Sequence, residues 1–231
     1  MLELHELSFG YPGASTPVLD RVSLEVPGGC AVGLQAPSGS GKTTLLRIAA
    51  SLLAPDRGDV AIAGDVVSGF RYAVPVSIRR RVGMIFQSPR TSSNPRLSLR
   101  HIIAEPLSFR DGLRRPRPVV YAGKVAELAD LVQLTDDLLD RFPHQVSDGQ
   151  LQRACLARAL ALDPQVLLCD EPTAMLDAPT TAVIMRVVGD RVRQGSAALV
   201  ASHNQPLLDA TCAVTYRLAA LSTPPDRAAV R

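Results

Sequence analysis

The 231-residue chain contains no tryptophan, and aromatic side chains make up only 4% of it. Its four cysteines lie far apart without a Cys-x-x-Cys pair, which argues against a metal centre or a disulfide framework. No apolar run approaches the roughly 20 residues that a helix needs to cross a membrane. The polar residues Glu3, His5 and Glu6 also predict that no signal peptide begins the chain. These absences favour a cytoplasmic chain with free thiols.

A strong charge of either sign is also missing, since the formal net charge is +3. This balance is too weak to indicate nucleic-acid binding, and we expect no nucleic-acid partner. Hydrophobic residues make up 46% of the sequence, which is ample for the core of one large domain, with or without an inserted subdomain.

The most informative stretch is GLQAPSGSGKTT at residues 33–44. A short apolar run leads into it and a helix is predicted over residues 43–53, which is the strand–loop–helix context of a phosphate-binding loop. The loop contains four small residues whose backbone N–H groups can point at an anion, namely Ser38, Gly39, Ser40 and Gly41. Lys42 is placed to reach the β- and γ-phosphates of a nucleotide, and the Thr43 hydroxyl is placed to bind Mg²⁺.

One position departs from the phosphate-loop pattern, because Ala36 stands where the first glycine is expected. If that position needs a positive φ, the methyl group costs about 1 kcal/mol. The alternative is a glycine-rich turn that binds nothing. It is disfavoured because the strand, the loop, the Lys-Thr pair and the helix occur together.

Three apolar runs predict buried parallel strands, at residues 82–86, 166–169 and 197–201. Gln87 follows the first run, Asp170 and Glu171 follow the second, and His203 lies just after the third. Ligand contacts gather at the carboxyl edge of such a sheet. Asp170 is therefore predicted to bind Mg²⁺, and Glu171 to polarise an attacking water. A lone histidine or glutamine is more often structural, but the shared edge favours a functional role.

A second helix start suited to an anion is predicted at residues 146–150, Val-Ser-Asp-Gly-Gln, before a helix over residues 151–162. Ser147 is placed as its N-cap. The alternative is a bare cap that needs no ligand.

The remaining patterns predict the domain organisation. Alternating stretches at residues 2–9, 18–26 and 59–63 predict an antiparallel piece attached to the parallel core. After the first of the three apolar strands, residues 88–123 carry five prolines and little strand signal, and residues 124–134 are predicted to be helical. We therefore expect one domain, with an α/β core and β subdomain at residues 1–87 and 161–221, a helical subdomain at 88–160 and a loose tail at 222–231.

Five motifs stand in order behind the phosphate loop: Gln87, residues 146–150, Asp170-Glu171, Asp177 and His203. Together with the loop they resemble the ATP-binding subunits of ABC transporters, and the resemblance covers nearly the whole chain. It implies an α/β fold with a P-loop (RecA-like) nucleotide-binding core, an antiparallel β subdomain and an inserted α-helical subdomain. It also implies ATP hydrolysis with ATP and Mg²⁺ as cofactors.

The resemblance implies roles for single residues. Tyr11 is the aromatic residue that stacks on adenine, and residues 36–44, from Ala36 to Thr44, form the Walker A motif. Glu171 is the catalytic glutamate and His203 senses the γ-phosphate. Gln87 touches Mg²⁺ and couples to the membrane subunit.

The remaining motifs imply a dimer in which two subunits pair head to tail. The signature motif at residues 146–150, with Ser147, Gly149 and Gln150, then completes the ATP site of the second subunit, and Asp177 belongs to the adjoining D-loop. The implied partners are integral membrane permease subunits and a second ATP-binding subunit, in a homodimer or a heterodimer. The implied location is cytoplasmic, peripheral on the inner face of the cell membrane.

Three short segments look like the dipeptide, oligopeptide and nickel importer group: residues 86–89, 93–96 and 105–107. The short sequence after His203 lacks the extension that many peptide-importer ATPases carry, which favours the nickel or metal-chelate type or a divergent member of the group.

Asp148 replaces the first glycine of the signature motif, and Val146 replaces its leucine. The Asp148 carboxylate would repel the γ-phosphate bound by a second subunit, since two charges 4 Å apart near a protein surface interact by about 4 kcal/mol before screening. If the side chain points to solvent, most of this repulsion vanishes. We therefore expect a weakened ATP site at this signature and an intact one at the chain's own Walker A motif, Glu171 and His203.

Two alternatives remain open at this stage. One is a soluble ABC ATPase without a transporter, although such proteins usually have two cassettes or long coiled coils. The other is a non-hydrolysing regulatory half of a heterodimer, which Ala36 and Asp148 favour and Glu171 and His203 disfavour.

Overall fold

A computed structural model describes residues 1–13, 15–37, 39–67 and 74–221. The strands are β1 Leu2–Phe9, β2 Leu19–Val26, β3 Ala31–Gln35, β4 Arg57–Ile62, β5 Asp65–Val67, β6 Val82–Ile85, β7 Val166–Asp170, β8 Ala197–Ser202 and β9 Val214–Arg217. The helices are α1 Lys42–Ala49, α2 Val76–Arg79, α3 Pro89–Ser92, α4 Leu99–Arg110, α5 Ala122–Leu131, α6 Asp136–Leu139, α7 Asp148–Leu160, α8 Ala178–Arg193, α9 Gln205–Thr211 and α10 Leu218–Leu221.

The first sheet is antiparallel, with the strand order β2-β1-β4-β5. β1 and β2 bury apolar side chains between more exposed polar ones, as expected for a sheet with one solvated face. β1 carries irregular pairing on both sides, and close to it Gly58 adopts a φ of +87°. A Cβ at Gly58 would lie 2.2 Å from the His5 carbonyl oxygen, so only glycine fits there.

The second sheet has the order β6-β7-β8-β3-β9. β7 and β8 are buried along their whole length, because the sheet is covered on both faces. β3 pairs in parallel with β8 on one side and with β9 on the other. The strand that leads into the phosphate loop therefore lies inside the sheet.

The chain divides into two compact units. The first comprises residues 1–84, 165–171 and 191–231 and contains the antiparallel sheet and most of the parallel one; side chains of both sheets and α1 form its apolar core. The second comprises residues 85–164 and 172–190, where α7 packs against α3, α4 and α5.

One sequence-based expectation needs correction, and two segments contain elements that the sequence did not predict. The helix after the phosphate loop ends at Ala49 and not at Leu53, since Ser51 already adopts a φ of 57°. Residues 64–81 contain β5 and α2, for which the sequence shows no periodic pattern. The chain after His203 continues into α9, β9 and α10, which no sequence pattern predicted individually. The predicted loose tail, residues 222–231, lies outside the described residues.

No helix in the described part of the chain is both long enough and apolar enough to cross a membrane. All four cysteines are free thiols; Cys155 and Cys169 are buried, whereas Cys30 and Cys212 are partly exposed.

Candidate functional site

The phosphate loop connects β3 to α1 and is shaped by two glycines with positive φ. Gly39 has a φ of +79° and Gly41 of +100°, and a Cβ at Gly41 would lie 2.8 Å from Val18 Cγ1. Ala36 is buried and does not have a positive φ, so the penalty considered for its methyl group does not arise. Ser38 lies outside the described residues, and the Ser40 hydroxyl donates to the Pro37 carbonyl at 2.7 Å.

Lys42 is buried at the start of α1 and its ammonium group points back into the loop. Nζ donates to the carbonyl oxygens of Ala36 and Pro37, the latter at 3.0 Å. Nζ also lies 3.7 Å from Oε1 of Glu171, in an ion pair whose two side chains are both about 8% exposed. The loop thus holds one buried positive charge where the phosphates of a nucleotide would need it.

Glu171 follows the last residue of β7 and is buried, with a backbone φ of 45°. Its Oε2 accepts hydrogen bonds from Ser202 Oγ at 3.2 Å and from His203 Nδ1 at 3.0 Å. A carboxylate only accepts, so Nδ1 of His203 is the donor in this hydrogen bond. The His203 side chain is 71% exposed, so its far edge faces solvent while its near edge is anchored to Glu171.

Asp170 ends β7 and its side chain is buried. Burial raises the pKa of this carboxyl, and a hydrogen bond from Thr43 opposes part of that increase. Its Oδ1 is buried without a hydrogen-bond partner in the part of the chain that the structure describes. An unsatisfied carboxylate oxygen beside a threonine hydroxyl is a donor set that suits Mg²⁺. No group of three or more His, Cys, Asp or Glu among the described residues forms a metal site by itself.

Tyr11 is partly exposed, and its hydroxyl lies 3.0 Å from the hydroxyl of Thr44 in α1. Its ring packs edge-on against Phe9, with the ring centroids 5.0 Å apart. A cavity of about 420 Å³ beside the loop is lined by Ala36, His203 and Arg217, among others. Arg217, on β9, was not selected from the sequence.

The signature segment forms the start of α7 in the second unit. The Ser147 hydroxyl accepts from the Gln150 backbone N–H at 3.1 Å, and the Gln150 side chain accepts from the Ser147 N–H at 2.9 Å. This is a capping box, so the predicted N-cap role of Ser147 is confirmed. A Cβ at Gly149 would lie 3.1 Å from the Thr180 hydroxyl oxygen, so little room exists for a larger residue.

Gln87 is exposed two residues beyond the end of β6. The carbonyl of the preceding residue, Phe86, accepts from the side-chain amide of Gln152 at 3.1 Å, and the same amide donates to Pro172 at 3.0 Å. Gln152 therefore connects the residue before Gln87 with the residue after Glu171. No sequence pattern indicates this role, because the three segments are far apart along the chain.

Asp177 caps α8 by accepting a hydrogen bond from the Thr180 backbone N–H at 2.8 Å. Hydrogen bonds from Thr180 hold the pKa of this carboxyl below its usual value. Two residues earlier, Met175 has a φ of 61° and a fully exposed side chain.

The structure brings most of the predicted nucleotide residues together within the first unit: Tyr11, Ala36, Gly39, Ser40, Gly41, Lys42, Thr43, Thr44, Asp170, Glu171 and His203. The others belong to the second unit: Gln87, Ser147, Gly149, Gln150 and Asp177. The first group presents a lysine, a carboxylate pair and a histidine around a phosphate loop.

The family model for ABC transporters matches residues 19–174. The chain belongs to the ABC transporter family. Among curated relatives, the nickel import ATP-binding protein NikE of Escherichia coli (strain K12) is 36% identical over 196 residues, which cover 84% of this chain and 72% of that protein. NikE of Shigella dysenteriae serotype 1 (strain Sd197) matches with the same identity and coverage.

Solved structures of ABC cassettes share the fold. The dimeric structure of MJ0796, a bacterial ABC transporter cassette, has a TM-score of 0.82 at 27% identity and covers 94% of this chain and 95% of that chain. A dimeric post-hydrolysis state of MJ0796 bound to ADP and Pi has a TM-score of 0.79 at 28% identity, with 90% of each chain covered. The predicted α/β fold with a P-loop core is therefore confirmed, and this ABC chain is an ATP-binding and ATP-hydrolysing subunit.

Proposed function

We propose that this ABC subunit powers an importer of nickel, metal chelates or peptides by driving a separate membrane-spanning permease. The importer class is supported by the 36% identity to nickel import ATP-binding proteins and by the three importer-like segments in the sequence. The hydrolytic role is supported by the environment of Glu171, a buried carboxylate that accepts hydrogen bonds from His203 and Ser202 and faces Lys42.

In the proposed reaction Lys42 neutralises charge on the β- and γ-phosphates, and Glu171 orients the water that attacks the γ-phosphate. The hydrogen bond from His203 Nδ1 fixes the direction of the Glu171 carboxylate. Nε2 of His203 then faces the γ-phosphate, and it donates to a phosphate oxygen only when both ring nitrogens carry protons. Tyr11 supports the adenine ring.

Mg²⁺ is the second proposed cofactor. Thr43 and Asp170 would hold it, because the buried Oδ1 of Asp170 otherwise lacks a partner among the described residues. The ion would supply positive charge to the phosphate oxygens.

The proposed assembly contains a second ATP-binding subunit, identical to this one or different from it, and integral permease subunits. The dimeric state of the MJ0796 cassette supports the first of these partners. In this assembly the chain lies on the inner face of the cell membrane, and the residues around Ser147 complete the ATP site of the second subunit.

ATP hydrolysis by the purified chain, alone and with its co-purified membrane complex, tests whether the chain is the ATPase that drives the permease. We expect turnover to rise in the complex and to fall at least 100-fold in Glu171→Gln, because the attacking water loses its carboxylate. Glu127→Gln is a matched control, since Glu127 is an exposed residue paired with Lys124. ATP binding without turnover in both settings would instead indicate a regulatory half.

Uptake in cells that lack the chain tests the importer class. We expect uptake of radioactive nickel, or of a labelled dipeptide, to fall to background and to return with the wild-type chain but not with Glu171→Gln. Unchanged uptake of both, together with normal ATPase activity of the complex, would contradict the importer class and leave the ATPase role intact.

A further inference from the structure

Arg90, in α3, makes three contacts with the segment that ends in the signature motif. Its guanidinium lies 2.6 Å from Oδ1 of Asp148, and it donates to the carbonyl oxygens of Pro143 at 2.9 Å and Val146 at 3.1 Å. One side chain therefore holds the turn before α7 and also pairs with the acidic residue that departs from the family pattern.

Asp148 is the first residue of α7, where the helix dipole already favours a negative charge. Its side chain is 59% exposed and that of Arg90 is 46% exposed. The carboxylate is therefore not buried and unpaired; it is hydrated and has a positive charge in direct contact.

We propose that Arg90 is a positioning residue that neutralises Asp148 and holds its carboxylate aside, so that Ser147 and Gly149 remain able to bind nucleotide. This inference rests on the proposed role of the signature segment at a second subunit's ATP site. It reverses the expectation from the sequence alone, because the site at this signature is not weakened by Asp148 while Arg90 is present.

A purely structural role accounts less well for the ion pair. The capping box of Ser147 and Gln150 already fixes the first turn of α7, and the two carbonyl contacts of Arg90 hold the preceding turn. Half-exposed ion pairs contribute little to folding stability. What the pair adds is control over one negative charge at the helix start that faces the nucleotide.

A double-mutant cycle on the assembled membrane complex tests the inference. Arg90→Gln should lower the ATP turnover at least fivefold in the wild-type background and less than twofold when Asp148→Gly is also present. Arg90→Lys should recover most of the turnover, because it restores the charge without the forked contacts to the carbonyls. The deficit of Arg90→Gln should shrink as salt is raised, because salt screens the released carboxylate.

Arg100→Gln is the matched control, since Arg100 forms a similar exposed pair with Asp140 at 2.8 Å and lies away from the signature motif in sequence. Thermal unfolding checks that Arg90→Gln shifts the midpoint equally in both backgrounds.

Three results would overturn the inference: an equal loss in both backgrounds, no loss in either, or a rise in turnover for Asp148→Gly alone. If the wild-type complex shows no ATP turnover that depends on Glu171, the proposed function itself is overturned. That outcome is distinguishable from the three results above.

Discussion

Glu171 combines burial, a left-handed backbone and three polar side-chain neighbours in one residue. A non-glycine residue pays about 1–2 kcal/mol for such a backbone, and sites of this kind cluster where function requires them. Its N–H still donates to the Ala201 carbonyl at 2.9 Å, so the backbone turns only after the last link to β8 is made. The carboxylate is thereby directed towards Lys42 and His203.

A substitution at the neighbouring carboxylate, Asp170, should affect the folding stability and the Mg²⁺-dependent binding of ATP differently. Burial raises the pKa of the Asp170 carboxyl in the folded chain. This group therefore favours the folded state at low pH, and its contribution to folding stability is lost as the pH rises through the folded pKa. Asp170→Asn should therefore keep or raise the unfolding midpoint of the nucleotide-free chain at neutral pH. It should also remove the additional Mg²⁺-dependent part of the stabilisation by ATP.

Differential scanning fluorimetry with ATP, with and without Mg²⁺, makes this measurement. Asp59→Asn, at an exposed acid of β4, serves as the control and should leave the Mg²⁺ effect in place. A normal Mg²⁺ effect in Asp170→Asn would contradict the proposed ligand role.

The cysteines predict an order of thiol reactivity. Burial raises the pKa of Cys169 to about 12 and raises the pKa of Cys155 as well, so neither forms the reactive thiolate at pH 8. Cys30 is partly exposed and should be alkylated first by iodoacetamide, as measured by peptide mass spectrometry. Early labelling of Cys169 in the folded chain would contradict the fully buried position of β7.

Local sequence patterns predict some residues of the site and not others. Lys42, Glu171 and His203 were predicted because each follows a recognisable strand, and strand ends meet at one sheet edge. Arg90 and Gln152 were not, since their partners lie 58 and 66 residues away along the chain. Contacts at such a distance follow from packing, and no local pattern records them.

At the scale of elements, β9 depends on an unusually close approach to β3. A Cβ at Gly33 would lie 2.5 Å from Oγ1 of Thr215, which pairs opposite it. Gly33→Ala should therefore lower the free energy of unfolding by about 1–3 kcal/mol, the usual cost of overpacking.

Chemical denaturation measures this loss. Adding Thr215→Ala should recover part of it, because the hydroxyl and methyl that crowd the new Cβ are removed. A Gly33→Ala chain as stable as the wild type would contradict this expectation and show that β9 shifts away from β3 without a loss of stability.

The same strand explains why the sequence predicted some elements and not others. β7 and β8 are continuous apolar runs buried along their length, so their pattern alone identifies them. β9 is a four-residue strand at the sheet edge and is largely exposed, and α9 contains a proline in its first turn. β9 is stabilised by pairing with β3, and neither element shows a periodicity that the sequence could reveal.

For the whole molecule, nucleotide binding should appear as added stability. A ligand that binds only the folded chain stabilises it by about 2.7 kcal/mol at 100 times its dissociation constant. ATP with Mg²⁺ should therefore raise the unfolding midpoint of the wild-type chain, and Lys42→Ala should lose most of this shift. Lys124→Ala, which alters the one other lysine, is the control; a full shift in Lys42→Ala would contradict the phosphate-loop assignment.

Met175 gives the assembled protein a chemical reporter. Its thioether is fully exposed in the isolated chain, next to the segment that ends at Asp177. Dilute peroxide converts such a methionine to the sulfoxide, a polar group that no longer suits an apolar contact. The rate of Met175 oxidation therefore reads out, without any label, whether another subunit covers this loop, and a previously oxidised chain should assemble less readily if that contact is apolar.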